Sequence, residues 1–295
     1  MIVLSDSEAD IRLAAEALSE GKLVAFPTET VYGLGADALN THALSRVFEA
    51  KRRPTFDPLI VHIADLAFMD KLIDTSLLSG DALEKFRLLS TRIWPGPLTL
   101  ILPKKPLVPD LATSALPTVA LRFPSHPVAR RLIELSTGAI AAPSANPFGY
   151  LSPTRAAHVK DQLGDRVDFI VDGGRCDLGL ESTVLDLSTN KATILRPGGL
   201  SRAAIEEIIG EVAVYDRSAV PQPAAASTAG GSFADRRQLR SRRQLRSRRQ
   251  LAAGGSAGGS FAADRPGPAS QSLCTARSPV PLSAGSSVPR RRRGW

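Results

Sequence analysis

The stretch KLVAFPTETVYGLGAD, residues 22–37, decides the fold of this chain. Its apolar run at residues 23–26 is too short for an independent helix and is typical of a buried strand, which Pro27 ends because proline lacks a backbone N–H. The polar residues 28–30, TET, follow, and an apolar segment resumes at Val31. Ligands bind at strand ends in open α/β sheets, so this stretch predicts a binding site. A plain polar turn between two strands is the alternative.

Strand-like and helix-like segments alternate along the first 212 residues, and turns such as residues 189–191 also join neighbouring strands directly. This pattern predicts one α/β domain, residues 1–212, with a twisted and mixed sheet. The composition then changes to alanine, glycine, serine, proline and arginine, and RRQLRS repeats every six residues from Arg236. Such a segment buries too little apolar surface to offset its ordering entropy, so we expect residues 213–295 to be a disordered tail.

Charge is distributed unevenly over the 295 residues. Residues 217–295 hold 15 arginines and two aspartates, a net charge of +13, and since the whole chain carries +8, residues 1–216 carry −5. The two cysteines, Cys176 and Cys274, have no metal-ligand spacing, which favours a reducing compartment over a disulfide framework. The sequence shows neither a signal-peptide pattern nor an apolar run of membrane-spanning length, so we expect a soluble, cytoplasmic protein without a membrane partner.

Side chains that bind anions or donate hydrogen bonds gather at the predicted strand ends and beside a basic cluster. These candidates are Thr28, Glu29, Thr30, Lys51, Arg53, His62, Arg122, Ser144, Asn146, Ser182, Thr183 and Arg196. Arginine and lysine bind phosphates and carboxylates, and no Walker loop or complete dinucleotide fingerprint occurs, so side chains would hold any nucleotide. The four histidines lack metal-ligand spacing. A satisfied core histidine and a solvated helix end are the alternatives for His62 and for the basic cluster.

Eight motifs occur in one order along residues 10–212: PTETVYGLG, KRRP with PLIVHI, WPGPLTLIL, VALRFP, APSAN, SPT, ESTV and ILRPG. In this order and spacing they resemble the YrdC-type threonylcarbamoyl-AMP synthases. The resemblance implies a twisted, mostly antiparallel sheet with helices packed around a positively charged cavity. It also implies that L-threonine, bicarbonate and ATP are converted to threonylcarbamoyl-adenylate and pyrophosphate, for the t6A modification of tRNA.

The resemblance assigns roles to two sets of residues. On the threonine side it implies Thr28, Thr30, Tyr32, His62, Arg122, Ala142 and Ser182. On the ATP side it implies Lys51, Arg53, Asp57, Thr118, Ser144, Asn146, Ser152 and Arg196, and Lys51 and Arg53 are also the expected catalytic residues. Mg²⁺ is expected to arrive with ATP, without a metal site on the protein, and transferases that modify tRNA are the expected partners.

The chain departs from the family pattern in two places. Asp57 stands where family members commonly carry asparagine, and a carboxylate beside a triphosphate predicts weaker ATP binding or a contact bridged by metal. Longer members add a linker that closes over the cavity and a small C-terminal domain, and we find no matching motif after Tyr215. Either the chain is a short form with an unusual tail, or the tail is a shifted reading frame.

Two other functions compete with the synthase interpretation. An RNA-binding module could use the basic cavity together with the arginine-rich tail, which would hold phosphates without sequence preference. Few aromatic residues accompany those arginines, which disfavours base stacking. A carbamoyl-transfer protein of the hydrogenase-maturation type would need cysteine-rich zinc modules, and two isolated cysteines do not supply them.

Overall fold

The computed structural model describes residues 1–216, which contain eight α-helices and eleven strands. The strands are β1 (Ile2–Leu4), β2 (Val24–Phe26), β3 (Gly33–Asp37), β4 (Ile60–Ile63), β5 (Leu98–Pro103), β6 (Thr118–Arg122), β7 (Ala139–Ala141), β8 (Phe169–Val171), β9 (Thr183–Asp186), β10 (Thr193–Arg196) and β11 (Ala213–Val214). The helices are α1 (Glu8–Ser19), α2 (Thr41–Lys51), α3 (Leu66–Met69), α4 (Gly80–Arg92), α5 (Asp110–Thr113), α6 (Pro127–Leu135), α7 (Ala156–Leu163) and α8 (Arg202–Ile209).

All eleven strands join in one sheet, in the order β1-β8-β2-β3-β7-β4-β6-β5-β9-β10-β11. The expected mixed α/β fold is confirmed. Five of the neighbouring pairs are parallel and five are antiparallel, so the expected antiparallel majority is not observed. Parallel partners such as β5 and β9 are far apart in the sequence and are joined by long connections, which leave no local hairpin signal.

Helices cover the sheet because one stripe of each is apolar. In α1 the side chain of Ser7 accepts a hydrogen bond from the backbone N–H of Asp10, which caps the helix, and Ile11, Ala14 and Leu18 are buried. This helix packs against α6 and against β3 and β8, while α4 packs against α8. The core therefore lies between the helices and the central strands.

The sheet extends slightly beyond the predicted domain boundary. In β11, Val214 pairs with Ile194 of β10, two residues past the boundary expected at residue 212. The predicted disordered tail lies, from residue 217 onward, outside the described residues. Within residues 1–216, no helix combines the length and apolar character needed to cross a bilayer.

Candidate functional site

Two adjoining cavities lie beside β4, β6 and β9 and the loops that follow β2 and β7. The smaller has a volume of about 270 Å³ and the larger about 770 Å³. Six residues line both cavities and are called the shared wall: Arg53, Asp57, Ser144, Glu181, Leu195 and Arg196. A ligand in one cavity would therefore lie next to a ligand in the other.

One row of the sheet forms the base of the smaller cavity. His62 of β4, Arg122 of β6, Thr99 of β5 and Val184 of β9 lie in register with one another. Residues in register on neighbouring strands point to the same face of a sheet. His62, Arg122 and Val184 line the smaller cavity, and Thr99 is fully buried among them.

Arg122 supplies a buried positive charge to the smaller cavity. One of its N–H groups donates to Glu29 Oε1 over 2.7 Å, and Glu29 Oε2 accepts the backbone N–H of Ser125. Both charged side chains are less than a tenth exposed, so each needs the other to offset its desolvation. Within residues 1–216 the Nε atom of Arg122 has no hydrogen-bond partner. A guanidinium carries five N–H groups and Arg122 lines the smaller cavity, so N–H groups other than the one bonded to Glu29 can bind an anion such as a carboxylate there.

His62 is an uncharged group near neutral pH. Burial, and then the charge of Arg122, lower its pKa to about 3, because both disfavour the imidazolium. Its Nδ1 atom lies 3.2 Å from the carbonyl oxygen of Ile60, and its ring packs edge-on against Phe26. His62 can therefore offer a hydrogen bond in the smaller cavity without adding charge.

The residues after β2 divide between the cavity and the core. The hydroxyl oxygens of Thr28 and Thr30 lie 2.8 Å apart, and both residues line the smaller cavity, as does Ala142. Tyr32 lines neither cavity, although it was expected on the threonine side. Its hydroxyl donates to the carbonyl oxygen of Gly174 over 2.7 Å, so the ring ties this loop to the end of β8.

Lys51 lines the larger cavity but is almost fully buried. Its ammonium donates to the carbonyl oxygens of Ser144 and Asn146, so it holds the loop after β7 against the end of α2. Burial, and then the charge of Arg53, lower the pKa of Lys51 to about 7. The side-chain amide of Asn146 donates to the carbonyl oxygen of Tyr150 over 2.7 Å, which also shapes this loop.

Each arginine of the shared wall is paired with a carboxylate. Arg53 Nη2 lies 2.8 Å from Asp57 Oδ1, and Arg196 Nη1 donates to Glu181 Oε2. The hydroxyl of Ser152 donates to Glu181 Oε1 over 3.0 Å. Burial is the main cause that lowers the pKa values of both arginines.

Glu181 and Thr118 differ from the expectations for the ATP side. Glu181 lies on the shared wall and was not among the predicted site residues, although the ESTV motif contains it. Thr118 lines neither cavity. It begins β6, four residues from Arg122, and a strand rises about 3.3 Å per residue, so roughly 13 Å separate the two positions.

The two wall carboxylates fit a magnesium ion that arrives with a nucleotide. In the part of the chain that the structure describes, no three histidine, cysteine or acidic side chains group as a metal site. Mg²⁺ usually keeps several waters and is bound by one or two carboxylates together with substrate phosphates. Asp57 and Glu181 are the carboxylates beside the arginines, and they would meet that need.

Comparisons with known proteins agree with this geometry. A family model of the Sua5, YciO and YrdC proteins, described as "Telomere recombination", matches residues 16–198. The threonylcarbamoyl-AMP synthases of Pyrococcus abyssi (strain GE5 / Orsay) and Bacillus subtilis (strain 168) are each 50% identical, over 215 and 212 residues. Each match covers 72% of this chain but 62% and 60% of the relatives, so the chain spans about three-fifths of their length.

A solved structure extends the likeness to three dimensions. P. abyssi Sua5, complexed with L-threonine, is 49% identical and superimposes with a TM-score of 0.69, over 72% of this chain and 62% of that chain. The family model alone matches more than half of the present sequence. The chain therefore belongs to the Sua5/YciO/YrdC family, as its ordered motifs predicted.

Proposed function

We propose that this chain converts L-threonine, bicarbonate and ATP to threonylcarbamoyl-adenylate and pyrophosphate. The observation that carries the proposal is the shared wall, because it sets an amino-acid-sized cavity containing Arg122 directly against a larger cavity rich in cations. The names of the two relatives and the L-threonine complex of P. abyssi Sua5 support it.

The smaller cavity has the groups that an amino acid needs. The guanidinium of Arg122 would bind the carboxylate of threonine, and the hydroxyls of Thr28, Thr30 and Ser182 would hydrogen-bond its remaining polar atoms. His62 would contribute a neutral hydrogen bond. Apolar residues such as Ile60, Ala142 and Val184 also line this cavity, and they would reduce competition from water for these contacts.

The larger cavity would take ATP with its phosphates toward the shared wall. Arg53 and Arg196 are oriented there by their carboxylate partners, and both would bind phosphate oxygens. Lys51 already donates to two carbonyl oxygens, so it would act through its charge and by holding the loop after β7. Ser144, Asn146 and Ser152 would complete this site.

The reaction would proceed by positioning and charge stabilisation. The threonine amine would bond to the carbon of bicarbonate, a C–O bond would break, and water would leave with the amine proton to give a carbamate. A carbamate oxygen would then bond to the α-phosphorus as the bond to pyrophosphate breaks. Arg53 and Arg196 would stabilise the negative charge that develops on the phosphates. Mg²⁺, when bound with ATP, supplies further neutralisation of that charge. We assign no general base among the described residues.

Release of pyrophosphate by the full chain tests this proposal. We expect release from ATP and Mg²⁺ only when L-threonine and bicarbonate are both present, together with a product of the mass of threonylcarbamoyl-adenylate. Arg122→Gln should lower the release at least about tenfold at limiting threonine. Pyrophosphate release at the same rate with and without threonine would contradict the proposal.

The product, the partners and the location are also proposals. Threonylcarbamoyl-adenylate is an activated acyl phosphate, so a transferase acting on tRNA would consume it, and a cytoplasmic site would suit such a partner. The RNA-binding alternative uses the basic cavity together with the arginines beyond residue 216, and those arginines lie outside the described residues. The names of the curated relatives favour the synthase over that alternative.

A further inference from the structure

Thr99 lies at the centre of the site although it lines neither cavity. It is fully buried in β5, in register with Arg122 on one side and Val184 on the other. Its hydroxyl oxygen is 2.8 Å from the hydroxyl oxygen of Ser182, a residue that lines the smaller cavity. A polar side chain at this depth must satisfy its hydrogen-bonding groups within the protein.

The direction of the Thr99–Ser182 hydrogen bond follows from what each hydroxyl can reach. Among residues 1–216, the Thr99 hydroxyl makes this one hydrogen bond. If Ser182 were the donor, the proton of Thr99 would be buried without an acceptor, which is costly. Thr99 is therefore the donor, and the oxygen of Ser182 accepts.

Arg196 occupies the other acceptor position of Ser182. Its Nη2 atom donates to the hydroxyl oxygen of Ser182 over 3.2 Å, and also to the backbone carbonyl oxygen of the same residue over 3.0 Å. A serine hydroxyl has two acceptor lone pairs and one proton. With both lone pairs engaged by Thr99 and Arg196, the proton of Ser182 remains for a group in the smaller cavity.

We propose that Thr99 is a positioning residue that, together with Arg196, fixes the Ser182 hydroxyl as a hydrogen-bond donor to the amino-acid substrate. The group it faces is then an acceptor, namely an oxygen of the substrate carboxylate or of the carbamate formed from it. This inference rests on the proposed function of the smaller cavity. Thr99 would then help to determine threonine affinity although it is buried and does not contact the substrate.

Calorimetric binding of L-threonine to the full chain tests the role of Thr99. Thr99→Val keeps the shape of the side chain and removes its hydroxyl, and we expect it to weaken threonine binding about fivefold, the size of one neutral hydrogen bond. Thr99→Ser keeps the donor, so its threonine affinity should stay within about twofold of wild type. The ATP affinity of both variants should also stay within about twofold of wild type. Thr113→Val is the control, since Thr113 is also buried but its hydroxyl bonds to Lys104, Asp110 and Leu116, none of which lines a cavity.

A double-variant cycle separates positioning from general loosening of the structure. On a Ser182→Ala background, Thr99→Val should cost less than about twofold in threonine affinity, because the hydroxyl it orients is gone. Wild-type affinity in Thr99→Val, an equal loss of ATP affinity, or a full fivefold loss on the Ser182→Ala background would each overturn the inference. If Thr99→Val does not fold, Thr99→Cys, a much weaker donor, replaces it. A wild-type chain that binds no threonine would instead overturn the proposed function.

Discussion

Arg122 donates to Glu29 over 2.7 Å, and both side chains are buried, so the site contains a desolvated ion pair. Removing one partner leaves an uncompensated buried charge. We therefore expect Glu29→Ala to lower the free energy of unfolding by about 3 kcal/mol, as measured by urea denaturation. Glu8→Ala is the control, because Glu8 pairs with Arg131 at the surface and should change stability little. Equal effects of the two substitutions would contradict this account.

Asp57 neutralises Arg53 on the shared wall and would also repel a triphosphate that lacks its cation. Asp57→Asn should therefore raise the affinity for ATP without Mg²⁺ about fivefold and narrow the difference made by adding Mg²⁺. Calorimetry with and without Mg²⁺ measures both quantities. Asp81→Asn is a control, since Asp81 also pairs with a basic residue four positions away, Lys85, but outside the cavities. If Mg²⁺ changes the ATP affinity of Asp57→Asn as much as it changes that of wild type, Asp57 does not repel the triphosphate.

Lys51 should make stability depend on pH. Its pKa is about 7 in the folded chain and near 10.5 in the unfolded chain, because burial and Arg53 disfavour the charged form. Between these values the unfolded chain binds more protons, so the contribution of Lys51 to the free energy of unfolding rises with pH, by at most about 1.4 kcal/mol per pH unit.

The difference in free energy of unfolding between wild type and Lys51→Met isolates this contribution. We expect that difference to increase between about pH 7.5 and 9.5 in urea titrations. Taking the difference cancels groups such as Cys176, whose pKa burial raises to about 11 and which titrates in both proteins. A difference that stays constant over this range would show that Lys51 is not desolvated as the structure indicates.

Local sequence patterns predicted the helices and strands themselves better than they predicted which strands lie next to each other in the sheet. The bounds of α6 agree with the proline at its start and the apolar periodicity that follows, since both signals lie within the helix itself. The two edge strands, β1 and β11, were not predicted; β11 has two residues, too few to show the alternation of a strand. The order of the strands depends on contacts between distant segments, which no local pattern records.

Side-chain direction limited the prediction of the site. The hairpin of β9 and β10 has an irregular register between Ile194 and Arg196, and such a bulge re-aims the side chains that follow it. Arg196 thereby reaches both Ser182 and Glu181. Arg196 and the ESTV motif are both visible in the sequence, but the bulge that brings them together is not. The sequence therefore could not place Glu181 on the shared wall.

Tyr32 offers a test of the boundary between cavity and core. Tyr32→Phe removes the hydrogen bond to the carbonyl oxygen of Gly174 and should lower the free energy of unfolding by about 1 kcal/mol. Threonine affinity should stay within about twofold of wild type, whereas Thr30→Val, which alters a cavity-lining hydroxyl, should weaken it severalfold. Urea denaturation and threonine calorimetry supply the two measurements. A tenfold loss of threonine affinity in Tyr32→Phe would show that Tyr32 contributes to threonine binding, as the sequence predicted.

Gly198 keeps the backbone of the shared wall in place. A Cβ atom at this position would lie 2.3 Å from the carbonyl oxygen of Glu181 and 2.6 Å from the backbone nitrogen of Thr183. Because both contacts are with backbone, no side-chain rotation can relieve them, and the segment that carries Ser182 must move. We expect Gly198→Ala to lower the free energy of unfolding by about 2 kcal/mol and to weaken both threonine and ATP binding.

Gly80→Ala is the control for this substitution. Gly80 begins α4 and has no heavy atom within 4 Å of an added Cβ, so alanine there should leave stability within about 1 kcal/mol and both affinities unchanged. Urea denaturation and calorimetry with each ligand distinguish the two glycines. If Gly198→Ala binds both ligands as wild type does, the position of the Glu181–Ser182 backbone does not determine binding. In that case Arg196 would have to keep its contacts with Glu181 and Ser182 after the backbone moves. The close contact of Gly198 with that backbone would then contribute to stability but not to ligand binding.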